Sequence, residues 1–71
     1  MKMYEVEGHS RKESGVIRVT PLFITSDPEK ALDRGEAMFN TGSFFRVCIW
    51  EAHEERKIRF FWYTRPGSGN E

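Results

Sequence analysis

Between Phe44 and Arg65 the chain reads FFRVCIWEAHEERKIRFFWYTR, and this stretch holds seven of the ten aromatic residues in two apolar runs split by a charged centre, His53 to Lys57. Two extended runs around a polar centre are the signature of a β-hairpin. The hairpin constrains everything else, because 71 residues make one domain near the lower size at which a chain folds without staples. So small a core cannot hide all of these rings. One side of the hairpin is expected to face a core and the other to face something else.

The remaining elements follow from periodicity. Lys2 to Glu7 alternates, with Tyr4 and Val6 on one face and Met3, Glu5 and Glu7 on the other, which predicts a half-buried first strand. Gly8 to Gly15 is polar, bracketed by glycines, and reads as a hairpin loop. Val16 to Thr25 resumes an extended pattern with Ile17 and Val19 on one side and Val16 and Arg18 on the other. Pro21 cannot donate to a ladder, so this strand is expected at an edge, or with a bulge that returns Leu22 and Ile24 to the core face.

A helix start follows at Thr25-Ser26-Asp27-Pro28-Glu29. Asp27 as N-cap puts Pro28 at the first helical position, whereas Ser26 as N-cap makes a capping box with Glu29. Ala31, Leu32, Gly35, Met38 and Phe39 form one apolar stripe, and Gly35 on that stripe implies close packing of helix on sheet. Asn40-Thr41-Gly42 supplies the helix stop. The third strand places Phe45, Val47 and Ile49 on a core face and Phe44, Arg46, Cys48 and Trp50 on the other. In the fourth strand Ile58, Phe60 and Trp62 alternate with Arg59, Phe61, Tyr63 and Arg65, and which row faces outward is open. Pro66 ends it, giving one domain over residues 1–66 and a tail over 67–71.

The order strand, strand, helix, strand, strand gives an α+β two-layer fold, a four-stranded and mainly antiparallel sheet with one helix on one face. One short helix covers one face only. The other is left with Met3, Arg18, Phe44, Arg46, Trp50 and one row of the fourth strand, more contiguous apolar surface than monomers usually expose. Aromatics mixed with arginine are the composition of interface hot spots. The contact residues expected from this are Arg46, Trp50, Arg59, Phe61, Tyr63 and Arg65.

Other chemistries find little support. Eleven basic and eleven acidic residues cancel, which disfavours both a strongly basic nucleic-acid binder and an acidic mimic of DNA. The aromatic and arginine set still resembles a stacking platform for single strands, so a single-stranded nucleic-acid module is an alternative, as is a homodimer that pairs the same face. A lone cysteine allows no internal disulfide and suits a reducing cytoplasm, and the N-terminus has neither the apolar region of a signal peptide nor a membrane span. Cys48 reads as a buried filler. His9, His53 and Cys48 match no metal-ligand spacing, His53-Glu54-Glu55 sits in a turn with no nucleophile beside it, and the glycines form no phosphate loop. No enzyme, cofactor or metal is expected.

The stretch Met38-Phe39-Asn40-Thr41-Gly42-Ser43-Phe44-Phe45-Arg46-Val47, a helix running into a glycine turn and an arginine-bearing strand, resembles small phage-encoded anti-CRISPR inhibitor proteins. One group of these has the same order of elements. The present chain is less basic than that group. The resemblance implies a non-catalytic, host-directed binding protein of a phage or other mobile element. Such a protein would act in the bacterial cytoplasm on a protein or ribonucleoprotein complex such as a CRISPR effector.

Overall fold

Asp27 and Pro28 start the one helix. In the computed structural model, which describes residues 2–65, the Asp27 backbone is extended and its carboxylate accepts the Glu29 N–H at 2.9 Å, with Pro28 in the first turn. Asp27 is thus the cap that is used. Its own N–H donates to Thr25 Oγ1 at 3.1 Å, so the entry into the helix is held from both sides. Helix α1 (Pro28–Asn40) ends as Gly42 turns to a φ of 83°, and the Thr41 and Gly42 N–H groups donate to the Met38 and Phe39 carbonyls. The tail assigned to residues 67–71, and the stop at Pro66, lie outside the described residues.

Four strands, β1 (Met3–Arg11), β2 (Ile17–Thr25), β3 (Arg46–Ala52) and β4 (Lys57–Thr64), form one antiparallel sheet in the order β2-β1-β3-β4. The expected α+β class and element order hold. The helix lies over the central strands β1 and β3, where Tyr4, Val6, Ala31, Val47 and Ile49 are buried together and Leu32, Met38 and Phe39 pack around them. Gly35 explains the close approach: a Cβ there would sit 3.0 Å from Ile49 Cδ1. No helix among the described residues is long and apolar enough to cross a membrane.

Several expected boundaries and faces are corrected. The first strand does not stop at Glu7 but runs to Arg11, and the loop shrinks to a turn in which the Gly15 N–H donates to the Lys12 carbonyl at 2.8 Å. Gly8 and His9 are therefore strand residues. Pro21 sits on an edge strand and beside a bulge, since the register jumps from Val6 opposite Phe23 to Glu7 opposite Pro21. Leu22 and Phe23 both reach the core. Ile24 does not: it pairs with Glu5 and is 60% exposed. Ile17 and Val19 pair with Arg11 and His9 on the uncovered face, while Arg18 pairs with Ser10 on the helix side, the reverse of the expectation. The bulge shifts the strand's parity at Leu22, so rows read continuously through Pro21 change sides.

A second bulge settles the fourth strand. The register passes from Ile49 opposite Phe61 to Trp50 opposite Arg59, so Phe60 and Phe61 share the helix side. Phe60 packs on Tyr4 with centroids 4.9 Å apart, and Phe61 on Tyr63 at the same distance. Arg59 and Trp62 face the other way. Phe44 and Phe45 are exchanged relative to the expected alternation, because β3 begins only at Arg46. Phe44 joins the core, and a Cβ on Gly8 would lie 2.6 Å from its ring. Phe45 packs with His9 and the arginines on the uncovered face.

Gly8 is therefore required for the room it leaves. Gly8→Ala is expected to lower stability by about 1–3 kcal/mol through overpacking, measured by urea unfolding, and Phe44→Leu in the same chain should recover part of the loss.

Candidate functional site

On the face without a helix, β1 presents Met3, Glu5, Glu7, His9 and Arg11, β3 presents Arg46, Cys48, Trp50 and Ala52, and β4 presents Lys57, Arg59, Trp62 and Thr64. Polar residues on neighbouring strands meet in register. Arg46 Nε donates to His9 Nδ1 at 3.1 Å, His9 Nε2 donates to Glu7 Oε1 at 3.1 Å, and Trp50 Nε1 donates to the same oxygen at 2.9 Å. Because Nδ1 accepts from arginine, the ring proton lies on Nε2, and these partners fix the tautomer. The chain Arg46, His9, Glu7, Trp50 ties β1 to β3 across the sheet.

Arginines lie over the rings. Arg11 Cζ is 4.8 Å and Arg46 Cζ 5.2 Å from the centroid of Phe45, and Arg46 at 4.8 Å and Arg59 at 3.8 Å both lie over Trp62. The result is one alternating ladder: Arg11, Phe45, Arg46, Trp62, Arg59. Trp50 meets Trp62 edge-on at 5.6 Å. Each such contact contributes roughly 0.5–2 kcal/mol depending on its exposure, so the face is largely covered by its own side chains. His9 is 7% exposed and Cys48 fully buried without any second layer above them. The expectation of bare aromatics needing an external cover is corrected accordingly. The exposed apolar side chains of this face are Ile17, Val19 and Ile24 on edge strand β2, while Ile58 and Phe61 are exposed on the helix side of β4.

Of the residues expected to make contacts, the structure brings Arg46, Trp50 and Arg59 together on this face. Phe61, Tyr63 and Arg65 lie on the helix side. Tyr63 Oη donates to the Leu32 carbonyl at 3.1 Å, and Arg65 Nη2 donates to the Phe39 carbonyl at 3.1 Å with its guanidinium over the Phe39 ring. Trp62, Phe45, Glu7, His9 and Arg11 belong to the face and were missed. The period-two pattern of Glu5, Glu7, His9 and Arg11 was readable in the sequence, but Gly8 interrupts it and looks like the start of a loop.

Cys48 Sγ lies 3.9 Å from His9 Nδ1, and Glu7 completes a thiol, imidazole and carboxylate series. Its chemistry is the opposite of an activated nucleophile. Burial raises the thiol pKa to about 11, outweighing the nearby Arg46 and Arg59 charges, and Nδ1 is already occupied by Arg46. His53 is remote from this group, in the β3–β4 turn, bonded to Glu51 at 2.8 Å. At the β4 edge Lys57 Nζ is 2.7 Å from Glu5, and that bond raises the lysine pKa. Trp62 Nε1 is a buried donor without a hydrogen-bond partner among the described residues, a cost of about 1–3 kcal/mol.

The raised thiol pKa has a sign for stability. From an ordinary value of 9.0 to about 11 when folded, the native state keeps a proton that the unfolded chain releases. Stability is therefore full at lower pH and falls as pH rises from about 9 toward 11. Tyr63, raised first by burial and then by Glu36 and Asp33, acts in the same direction. Urea midpoints measured across this range should decline, and Cys48→Ala should flatten the decline.

No protein-family model, curated protein or solved structure matches this chain, so its function rests on the geometry of this face.

Proposed function

We propose that this is a non-enzymatic binding protein that docks its uncovered sheet face on an acidic surface of a partner protein. One observation carries the reading: three arginines interleaved with Phe45 and Trp62, next to Trp50, on the side of the sheet that has no helix. Tryptophan and arginine dominate interface hot spots. Here the guanidiniums already rest on the rings, so their planes are set before a partner arrives and less entropy is lost when a carboxylate binds.

The same geometry weighs against the other uses. The arginines occupy the ring faces on which a nucleobase would stack. Pairing the face with itself about a two-fold axis would bring the three arginines of one copy against the arginine-bearing face of the other. The partner class, a bacterial defence complex such as a CRISPR effector blocked by a phage-encoded inhibitor, is supported by the resemblance of the Met38–Val47 stretch and by the order of elements in this small α+β domain.

The test is protection of a targeted plasmid in bacteria carrying an active CRISPR system. Protection by the native chain, and its loss in folded Trp50→Ala and Arg59→Ala variants, is the expected result; hot-spot truncations cost roughly 2 kcal/mol or more, about thirtyfold in affinity. If no effector type is blocked, the partner class is wrong, and if both variants protect fully, the face is wrong. Light scattering at micromolar concentration should return a monomer near 8.4 kDa; a stable dimer would contradict the docking face as drawn.

A further inference from the structure

The two edges of the sheet are not equivalent. On β4 the edge carries Lys57 and Arg59, charged side chains of the kind that keep a free edge from pairing. The other edge, β2, has Arg18 as its one charged residue along Ile17–Thr25. An edge strand leaves alternate backbone N–H and C=O groups without a ladder partner, and another extended backbone completes them. Pro21 and the extra residue at Leu22 break this edge in its middle, so a long ladder between two copies of β2 has no continuous register. A short segment beside Phe23, Ile24 and Thr25 meets no such break.

A cavity lies next to that short stretch. Between Phe23 and one stripe of the helix, Lys30, Asp33, Arg34 and Ala37, the surface encloses about 320 Å³. Phe23 stands opposite Val6 and Ile24 opposite Glu5, so the first turns toward the helix and the second toward the uncovered face, where it is 60% exposed. A strand added alongside therefore directs one side chain toward the cavity and sets its neighbours beside Ile24. The cavity also selects that side chain. Lys30 and Arg34 take part in no ion pair among the described residues, and Arg34 Cζ rests 4.4 Å from the Phe23 centroid, which leaves the guanidinium edge for a carboxylate. Asp33 supplies the one opposing charge, so the lining is positive on balance.

We infer that the free edge of β2 takes a short extended segment of a partner protein as an added strand, with a glutamate or aspartate of that segment entering the cavity at Lys30 and Arg34 and β-branched neighbours covering Ile24. The site lies apart from the arginine ladder and does not rest on the docking of the uncovered face. The labelled chain is titrated with the capped peptide Thr-Val-Glu-Val-Thr, with its glutamine and lysine counterparts, and with two copies N-methylated at one or the other alternate set of residues, and amide chemical shifts are followed. Saturable shifts at Phe23, Ile24, Lys30 and Arg34 are expected with the glutamate peptide, and with the glutamine peptide at roughly tenfold weaker affinity, the scale of one charge-assisted hydrogen bond. Arg34→Gln should remove that difference, Arg56→Gln in the β3–β4 turn should preserve it, and at least one N-methylated copy should fail to bind. Absence of shifts, or shifts confined to Arg46 and Arg59, overturns the site. Full binding by both N-methylated copies overturns strand addition. Glutamine and lysine peptides that bind as tightly as the glutamate one, or a folded Arg34→Gln variant that keeps its preference for glutamate, overturn the carboxylate assignment. Protection of the β2 amides from hydrogen exchange that rises with protein concentration in the absence of peptide gives the edge to a second copy and overturns the assignment to a partner.

Discussion

A single helix leaves half of a four-stranded sheet to water, and the structure depends on how the two central strands meet that constraint. They do so with the hydrogen-bond chain from Arg46 through His9 to Glu7, closed by Trp50. Each member comes from β1 or β3, and each satisfies the next. With that chain in place, Cys48 and His9 are buried on a face that has no covering layer. A half-satisfied version would cost more than an apolar surface, because buried polar groups without partners lose their hydration and gain nothing. The face is thus a second, thin core made of charged and aromatic side chains.

The two bulges do for the edges what this chain does for the centre. At Leu22–Phe23 and at Phe60–Phe61 two consecutive residues stand opposite one, so both large side chains of each pair turn toward the helix. A short helix with three large apolar side chains is enough because the sheet edges add Leu22, Phe23 and Phe60, while Phe61 packs on Tyr63 and stays largely exposed. The parity change sends Arg59 and Trp62 to the uncovered face beside Arg46 and Trp50. It also leaves Ile17, Val19 and Ile24 exposed along β2, where Pro21 removes one donor from the free edge.

The arginine ladder spans the uncovered face. Arg11 closes one end of it, and Arg59 closes the other end beside Trp50 and the Lys57–Glu5 pair. Cation over ring is a geometry in which the guanidinium edge stays available for carboxylate or phosphate while its face is occupied. The thiol in the middle of this face is inert by the same logic, as its burial favours the protonated form.

Much of this was legible in the residues themselves. The helix, its Asp27 and Pro28 start, its glycine stop, the close approach at Gly35, the four strands and the α+β class all follow from local periodicity and capping, which act over a few residues and leave their mark in sequence. Three of the six expected contact residues, Arg46, Trp50 and Arg59, lie on one face, Arg46 and Trp50 through the alternation of β3 and Arg59 because the bulge at Phe60–Phe61 separates it from Phe61 and Tyr63. The rest was decided by tertiary structure. Which face Phe61, Tyr63 and Ile24 take depends on bulges that exist only once strands pair. Phe44 turns inward because Gly8, thirty-six positions earlier, leaves a space for its ring. His9 and Glu7 become part of the site because β1 pairs with β3, and no pattern within either strand records a contact that only antiparallel register creates.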